Sequence, residues 1–282
     1  AEIDYVTVGQ EVRIINTPDT SVPKVQLLSN GRYHVMITNS GGGYSHWKDI
    51  AVTRWHEDVT CDNWGTFCYI RDLDNNIYWS NTYQPTLKKP DSFEAAYSQG
   101  RADFNIVRNG IDAHTELVVS PEDDIELRRL RITNRSRNRK TIELTSYAEV
   151  VIASAASDIM APAFSNLFVQ TTIIPHQNAI ICTRRPRSAE EQPPWMFHSM
   201  ILDGKPAEEI SYETDRMKFI GRDKSVMNPQ AMIIIGKLSV SQGSVLDPSF
   251  AIRYKIILDP DETAILNMVT FITKTRELCQ AL

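Results

Sequence analysis

Apolar side chains recur at every second position over much of this chain. In Tyr33–Thr38, the residues Tyr33, Val35 and Ile37 share one face. In Ile111–Val119 the odd positions are mostly apolar, and Asp112, His114 and Glu116 point the other way. In Ile252–Leu258, Ile252, Tyr254, Ile256 and Leu258 alternate with Arg253 and Lys255. A period of two is the signature of a half-buried antiparallel strand. Turn residues fall between such runs. Asp259-Pro-Asp-Glu262 and Pro175-His-Gln-Asn178 each read as a link between two strands. In Ile125–Ile132 the apolar positions change phase between Leu127 and Leu130, which predicts a bulge near Arg128–Arg129.

Three segments break the alternation. Pro85–Gly100 reads as a crossover with one helical turn at Ser92–Tyr97. Arg184–Trp195 is a long polar loop with three prolines. Ala231–Ile235 reads as a short buried strand. No helical period of any length appears before Thr275–Leu282, where an N-cap residue precedes helix formers. Many strands joined by short turns mean an all-β sandwich or barrel, with a helix starting at the C-terminus.

Composition narrows the class. The 282 residues are 42% hydrophobic, enough for a sizeable core. A net charge of −5 argues against a nucleic-acid partner or an anionic lipid surface. The basic run Arg128–Lys140 holds seven cations but no interleaved aromatics, so it reads as a solvated hairpin neutralised by Pro121–Glu126. No apolar run approaches the roughly 20 residues needed to span a bilayer. The N-terminus shows no signal-peptide pattern and no starting Met, which suggests an excerpt or a processed chain. Cys61, Cys68, Cys182 and Cys279 form no CxxC pair, so reduced, structural cysteines of a cytoplasmic protein are expected.

The segment NSGGGYSHWKD, Asn39–Asp49, is the candidate for chemistry. Gly41, Gly42 and Gly43 follow a strand, but no amphipathic helix follows them, so a phosphate-cradling loop is not supported. A hairpin needing positive φ would explain the glycines. It would not explain the cluster after them: Tyr44, Ser45, Trp47, Asp49, Arg54, Trp55, Asn63 and Trp64. Aromatic faces suit the C–H faces of a sugar ring, and Asp, Asn and Arg supply partners for its hydroxyls. Each tryptophan alone also fits a core position. Asn76–Pro85 is similarly rich, with Tyr78, Trp79, Tyr83 and Gln84, and also reads as an ordinary strand. No HExxH, GxSxG or dinucleotide motif is present, and no cofactor is implied.

Longer motifs resemble a known family: VQLLSNGRYHVMIT from Val25, GGGYSHWKDIAVTRW to Trp55, DNWGTFCYIRD to Asp72, SPEDDIELRRLRITNRS to Ser136, NLFVQT at Asn166–Thr171, TRRPRS at Thr183–Ser188 and YETDRMKFIGR at Tyr212–Arg222. They resemble the inverting glycoside phosphorylases, the family of cellobiose and chitobiose phosphorylases and of the phosphorylase-like part of bacterial cyclic β-1,2-glucan synthases. The resemblance implies a galactose mutarotase-like super-sandwich over 1–274. It implies a helical linker starting at 275–282, leading to a catalytic (α/α)6 barrel that holds the general acid and the phosphate site. The implied partners are a β-glucan oligosaccharide, that barrel and a second copy of the parent. The implied parent is cytoplasmic or anchored at the bacterial inner membrane. Under this reading Gly42, Gly43, Tyr44, Ser45, Trp47, Asp49, Arg54, Trp55, Asn63 and Trp64 line a sugar cleft, and no residue of the chain is catalytic. Two alternatives stand beside it: a mutarotase or epimerase using His114 and Glu116, and a purely structural domain.

Overall fold

The structure is a computed structural model that describes residues 12–58 and 60–281. The N-terminal eleven residues of the expected 1–274 unit, and Leu282 of the expected linker, lie outside the described residues. The alternating runs become strands: β1 (Arg13–Ile15), β2 (Val25–Ser29), β3 (Tyr33–Thr38), β4 (Gly43–Trp47), β5 (Ile50–Thr53) and β6 (Phe67–Asp72). They continue as β7 (Ile77–Ser80), β8 (Ser92–Ser98), β9 (Arg101–Arg108), β10 (Ile111–Val119), β11 (Ile125–Asn134) and β12 (Lys140–Ser154). The last six are β13 (Val169–Ile174), β14 (Ala179–Arg184), β15 (Trp195–Asp203), β16 (Glu209–Asp215), β17 (Pro248–Leu258) and β18 (Thr263–Thr273). Helices among the described residues are short: α1 (Ala155–Met160), α2 (Pro162–Asn166), α3 (Arg216–Ile220) and α4 (Arg276–Ala281), the last beginning where the sequence predicts a helix.

Two nine-stranded sheets result. The first runs β1-β8-β9-β10-β11-β18-β15-β14-β13; the second runs β16-β17-β12-β5-β4-β3-β2, with β6 beside β12 and β7 beside β6. Every strand pairing is antiparallel. The fold is therefore a large two-layered antiparallel sandwich. Its core takes Tyr33, Val35 and Ile37 from β3, Ile111, Ala113 and Leu117 from β10, and Ile252, Tyr254, Ile256 and Leu258 from β17. His198 bridges the layers. Its ring stacks 3.8 Å from Phe250, one nitrogen meets Thr270 and the other Ser146. Burial, then the charge of Arg128, pushes this imidazole down to about 3, so it is a neutral structural link.

Part of the outer face of the second sheet has its own cover. Phe219, Ile220, Val226, Ala231, Met232 and Leu238 pack on Phe67, Tyr69, Tyr147 and Ala251. This layer explains why Arg253, expected at the solvent face, is buried; it donates to the carbonyls of Ala231 and Gly236. It also corrects the strand expected at Ala231–Ile235. Gln230–Met232 is a 3-10 turn that buries Ala231 and Met232, and Ile233, Ile234 and Ile235 are exposed.

Two further expectations are corrected. Ser92–Tyr97 is strand, not helix: Phe93, Ala95 and Tyr97 face the core and Ser98 enters a tight turn to β9. No bulge interrupts β11, which pairs in unbroken register with β10 and β18. The phase change has a different origin. Glu126 and Arg128 occupy inward positions in line with Leu130 and Ile132, and Arg128 Nε donates to Glu126 at 2.6 Å. Glu126 also accepts from the hydroxyls of Tyr33 at 3.1 Å and Ser45 at 2.5 Å. So the basic run is not wholly solvated: Arg128 is buried here, and Lys140 is buried at its other end against Asp72 at 2.6 Å. Among the described residues no helix is long and apolar enough to cross a membrane.

Candidate functional site

The glycine run is a hairpin turn entering a strand. The Gly41 N–H donates to Thr38 and the Gly42 carbonyl accepts from Thr38. All three glycines are buried against protein. A Cβ on Gly41 would meet Thr82 at 2.3 Å, on Gly42 Asp62 at 2.1 Å, and on Gly43 the Met36 carbonyl oxygen at 1.9 Å. The glycines thus let other segments of this chain approach closely, and they do not form an open ligand-facing loop.

Strand alternation then separates the expected site residues. On β4, Ser45 and Trp47 point inward: Ser45 bonds Glu126, and the Trp47 indole donates to Asp124 at 2.7 Å. Tyr44 and His46 point outward. Asp49 is exposed in the β4–β5 turn, away from the others. The expected set therefore divides. Gly42, Gly43, Ser45 and Trp47 are interior, whereas Tyr44, Trp55, Asn63 and Trp64 are half-buried. Tyr44 meets Trp55 edge-on at 5.4 Å and His46 at 4.8 Å, and His56 meets Trp64 edge-on at 4.9 Å. Burial, then the neighbouring His34, lowers the His46 pKa, which favours a neutral ring on this ledge.

Arg54 lies behind the ledge at the end of β5, where its N–H pairs with the Glu149 carbonyl of β12. Its guanidinium grips Asp158 through Nε at 3.1 Å and Nη2 at 3.0 Å. It also donates to Glu149 at 2.9 Å and Asn166 at 2.7 Å. Ser154 caps α1 and Pro162 starts α2, which sets Asp158 and Asn166 in place. Arg216 joins Glu149 at 2.5 Å and Asp247 at 3.3 Å. Burial opposes the Arg54 charge, yet Asp158 and Glu149 hold its pKa above the usual arginine value. Above this centre opens a cleft of about 410 Å³, bordered by Arg54, His56, Trp64, Asn166, Arg216 and Asp247. Sequence reasoning found Arg54 and Trp64 but missed Glu149, Asp158, Asn166, Arg216 and Asp247. The available signal was Glu149, an acid set within the mostly apolar second half of β12.

This arrangement can hold a polyhydroxylated ligand: aromatic faces stand beside fixed carboxylate and amide acceptors. It lacks the look of a bond-breaking pair, because the carboxylates are engaged by guanidinium partners. The His114–Glu116 pair fares no better as an acid–base couple. His114 meets Asp103 at 3.0 Å and Arg131 at 3.3 Å, and Glu116 meets Arg101 at 3.3 Å, all on the outer face of the first sheet. The four cysteines are free, with Cys61 exposed and the other three buried. Burial raises Cys68 to about 12, which makes it an inert thiol.

Residues 10–282 match the glycosyl hydrolase 94 supersandwich domain. The chain is 32% identical over 243 residues to a cyclic β-(1,2)-glucan synthase of Rhizobium meliloti, covering 86% of this chain and 9% of that protein. It is 24% identical over 254 residues to an N,N'-diacetylchitobiose phosphorylase of Vibrio furnissii, covering 88% of this chain and 31% of the relative. The chain thus spans less than a third of either relative. Among solved structures, an aldose 1-epimerase-type protein of Escherichia coli aligns with TM-score 0.48 at 10% identity, covering 90% of this chain and 100% of that one.

Proposed function

The chain belongs to the glycosyl hydrolase 94 supersandwich family, and from that premise we propose that it is a non-catalytic, glucan-contacting domain of a glycoside phosphorylase or glucan synthase. The parent reaction is inverting phosphorolysis of a β-glucosidic bond or its reverse. A general acid outside these residues protonates the leaving oxygen while phosphate attacks the opposite face. This domain packs against the catalytic unit and presents a sugar-binding ledge. The single observation that carries the reading is the His56–Trp64 pair bordering the cleft over the Arg54 centre, with the Tyr44–Trp55 pair next to it in the chain. The relatives named for β-1,2-glucan and chitobiose support a β-linked substrate.

Titration of the chain with a β-1,2-linked glucotetraose tests it. Trp55→Ala and Trp64→Ala are each expected to weaken binding by about tenfold, the scale for removal of a central aromatic anchor. Thermal midpoints should stay close to the parent value, because both rings are half-buried rather than core. Affinity unchanged in both variants would reject the ledge as a sugar site.

A further inference from the structure

A cleft about twice the size of the one over the Arg54 centre lies elsewhere. It holds about 850 Å³ between the 18–23 strap, the glycine hairpin, Asp58 and the 60–63 segment, the 83–87 loop and residues 225–227. The glycine run builds it. Asp62 sits against Gly42, where its carboxylate accepts from Thr38 and Ser40 at 2.5 Å each. The 81–84 turn closes on Gly41, and the Gln84 N–H donates to the Ser40 carbonyl at 2.7 Å.

Three properties restrict the occupant. First, among the described residues no Lys, Arg or His borders the cleft, whereas Asp19, Asp58 and Asp62 do. An anion such as phosphate therefore finds no counter-charge. Second, among the described residues no group of three or more His, Cys, Asp or Glu could hold a metal ion. Third, the lining alternates hydrogen-bonding groups with apolar faces, the pattern a pyranose needs. Tyr83, Pro85 and Val226 supply faces; Asp62, Asn63 and Gln84 supply polar groups. Gln84 borders the cleft and is only 8% exposed. Burial also raises the Asp62 pKa, against the Ser40 and Thr38 hydroxyls that lower it.

The cleft is not isolated. A smaller hollow of about 170 Å³ shares Asp58, Cys61 and Asp62 with it, and Trp55 and His56 border that hollow. His56 also borders the Arg54 cleft. We infer that the Asp62–Tyr83–Gln84 cleft is a second saccharide subsite, linked past Trp55 and His56 to the ledge, so that the domain holds an extended neutral glucan segment and not a single terminal sugar. This rests on the sugar-binding reading above and adds a place and a length dependence to it.

The test titrates the full chain with glucose and with the β-1,2-linked glucotetraose, by calorimetry and saturation-transfer NMR. Tyr83→Ala and Gln84→Leu probe the subsite. Ser21→Trp fills it from the exposed strap without disturbing a buried group. The expected result is tetrasaccharide affinity at least about tenfold above that of glucose, lost by about tenfold in Tyr83→Ala and in Ser21→Trp. Tetrasaccharide binding that is sensitive to Trp55→Ala but indifferent to Tyr83→Ala and Ser21→Trp would overturn the second subsite and leave the ledge standing. Binding indifferent to all of these variants would overturn both. Occupation by inorganic phosphate or calcium ions, in place of the sugar, would overturn the subsite on charge grounds.

Discussion

Arg54→Ala is expected to destabilise the domain by about 3–5 kcal/mol, the cost of leaving buried carboxylates without their counter-ion. The side chains of Arg54, Glu149 and Asp158 are only 5–6% exposed. Removal of the guanidinium strands Asp158 in α1 and leaves Glu149 with Arg216 and the Tyr147 hydroxyl. A loss of that size is a large fraction of the roughly 5–15 kcal/mol that holds a typical domain together. Urea denaturation would show it as a lower midpoint with an unchanged slope. Arg54→Lys should recover only part, since one ammonium cannot reproduce the two-pronged contact with Asp158. Arg216, with a side chain 32% exposed, should cost less on removal, because solvent can screen what remains. A loss under about 1 kcal/mol in Arg54→Ala would mean that the centre is wetter or looser than its distances imply.

Arg128→Ala should be comparably damaging, by about 3–5 kcal/mol, for the same reason. Here the stranded charge is Glu126, which faces the interior of the sandwich beside Tyr33 and Ser45. The double variant Glu126→Leu/Arg128→Met is the informative partner. Apolar side chains suit that inward position, so its cost should be well below the sum of the two single losses. It should not reach zero. The hydroxyls of Tyr33 and Ser45, and the Thr66 carbonyl that accepts from Arg128 at 2.9 Å, each lose a partner. Strictly additive losses would show that the two residues act independently, contrary to their 2.6 Å contact.

That pair also explains where sequence reasoning succeeded and where it failed. Strands with an apolar inner row and a solvated outer row, such as β3 and β10, were readable residue by residue. On β11 the rule that charges face water inverts. Glu126 and Arg128 neutralise each other inside, so the apolar phase misled and predicted a bulge. The Ser92–Tyr97 segment carried helix-forming Glu and Ala, but its Phe93, Ala95, Tyr97 spacing already held the strand. Ala231–Ile235 looked like a strand because five apolar residues can also form a turn that caps a sheet. The site was legible only in its local part. Tyr44, Trp55, His56 and Trp64 lie close in sequence. The groups that fix Arg54 come from β12, α1, α2 and the 216–247 region, and one sequence gives no sign that these converge. The same holds for Gln84 and Asp62 around the glycine hairpin.

The proposed division of labour has the two-layered sandwich contact glucan and the bond-changing groups lie elsewhere. The most direct measurement incubates this chain with β-1,2-glucan and inorganic phosphate and follows glucose 1-phosphate, alongside a binding titration on the same preparation. Saturable glucan binding with sugar phosphate no higher than in the protein-free control is the expected result. Sugar phosphate accumulating in proportion to the amount of chain, at an enzymatic rate, would contradict it.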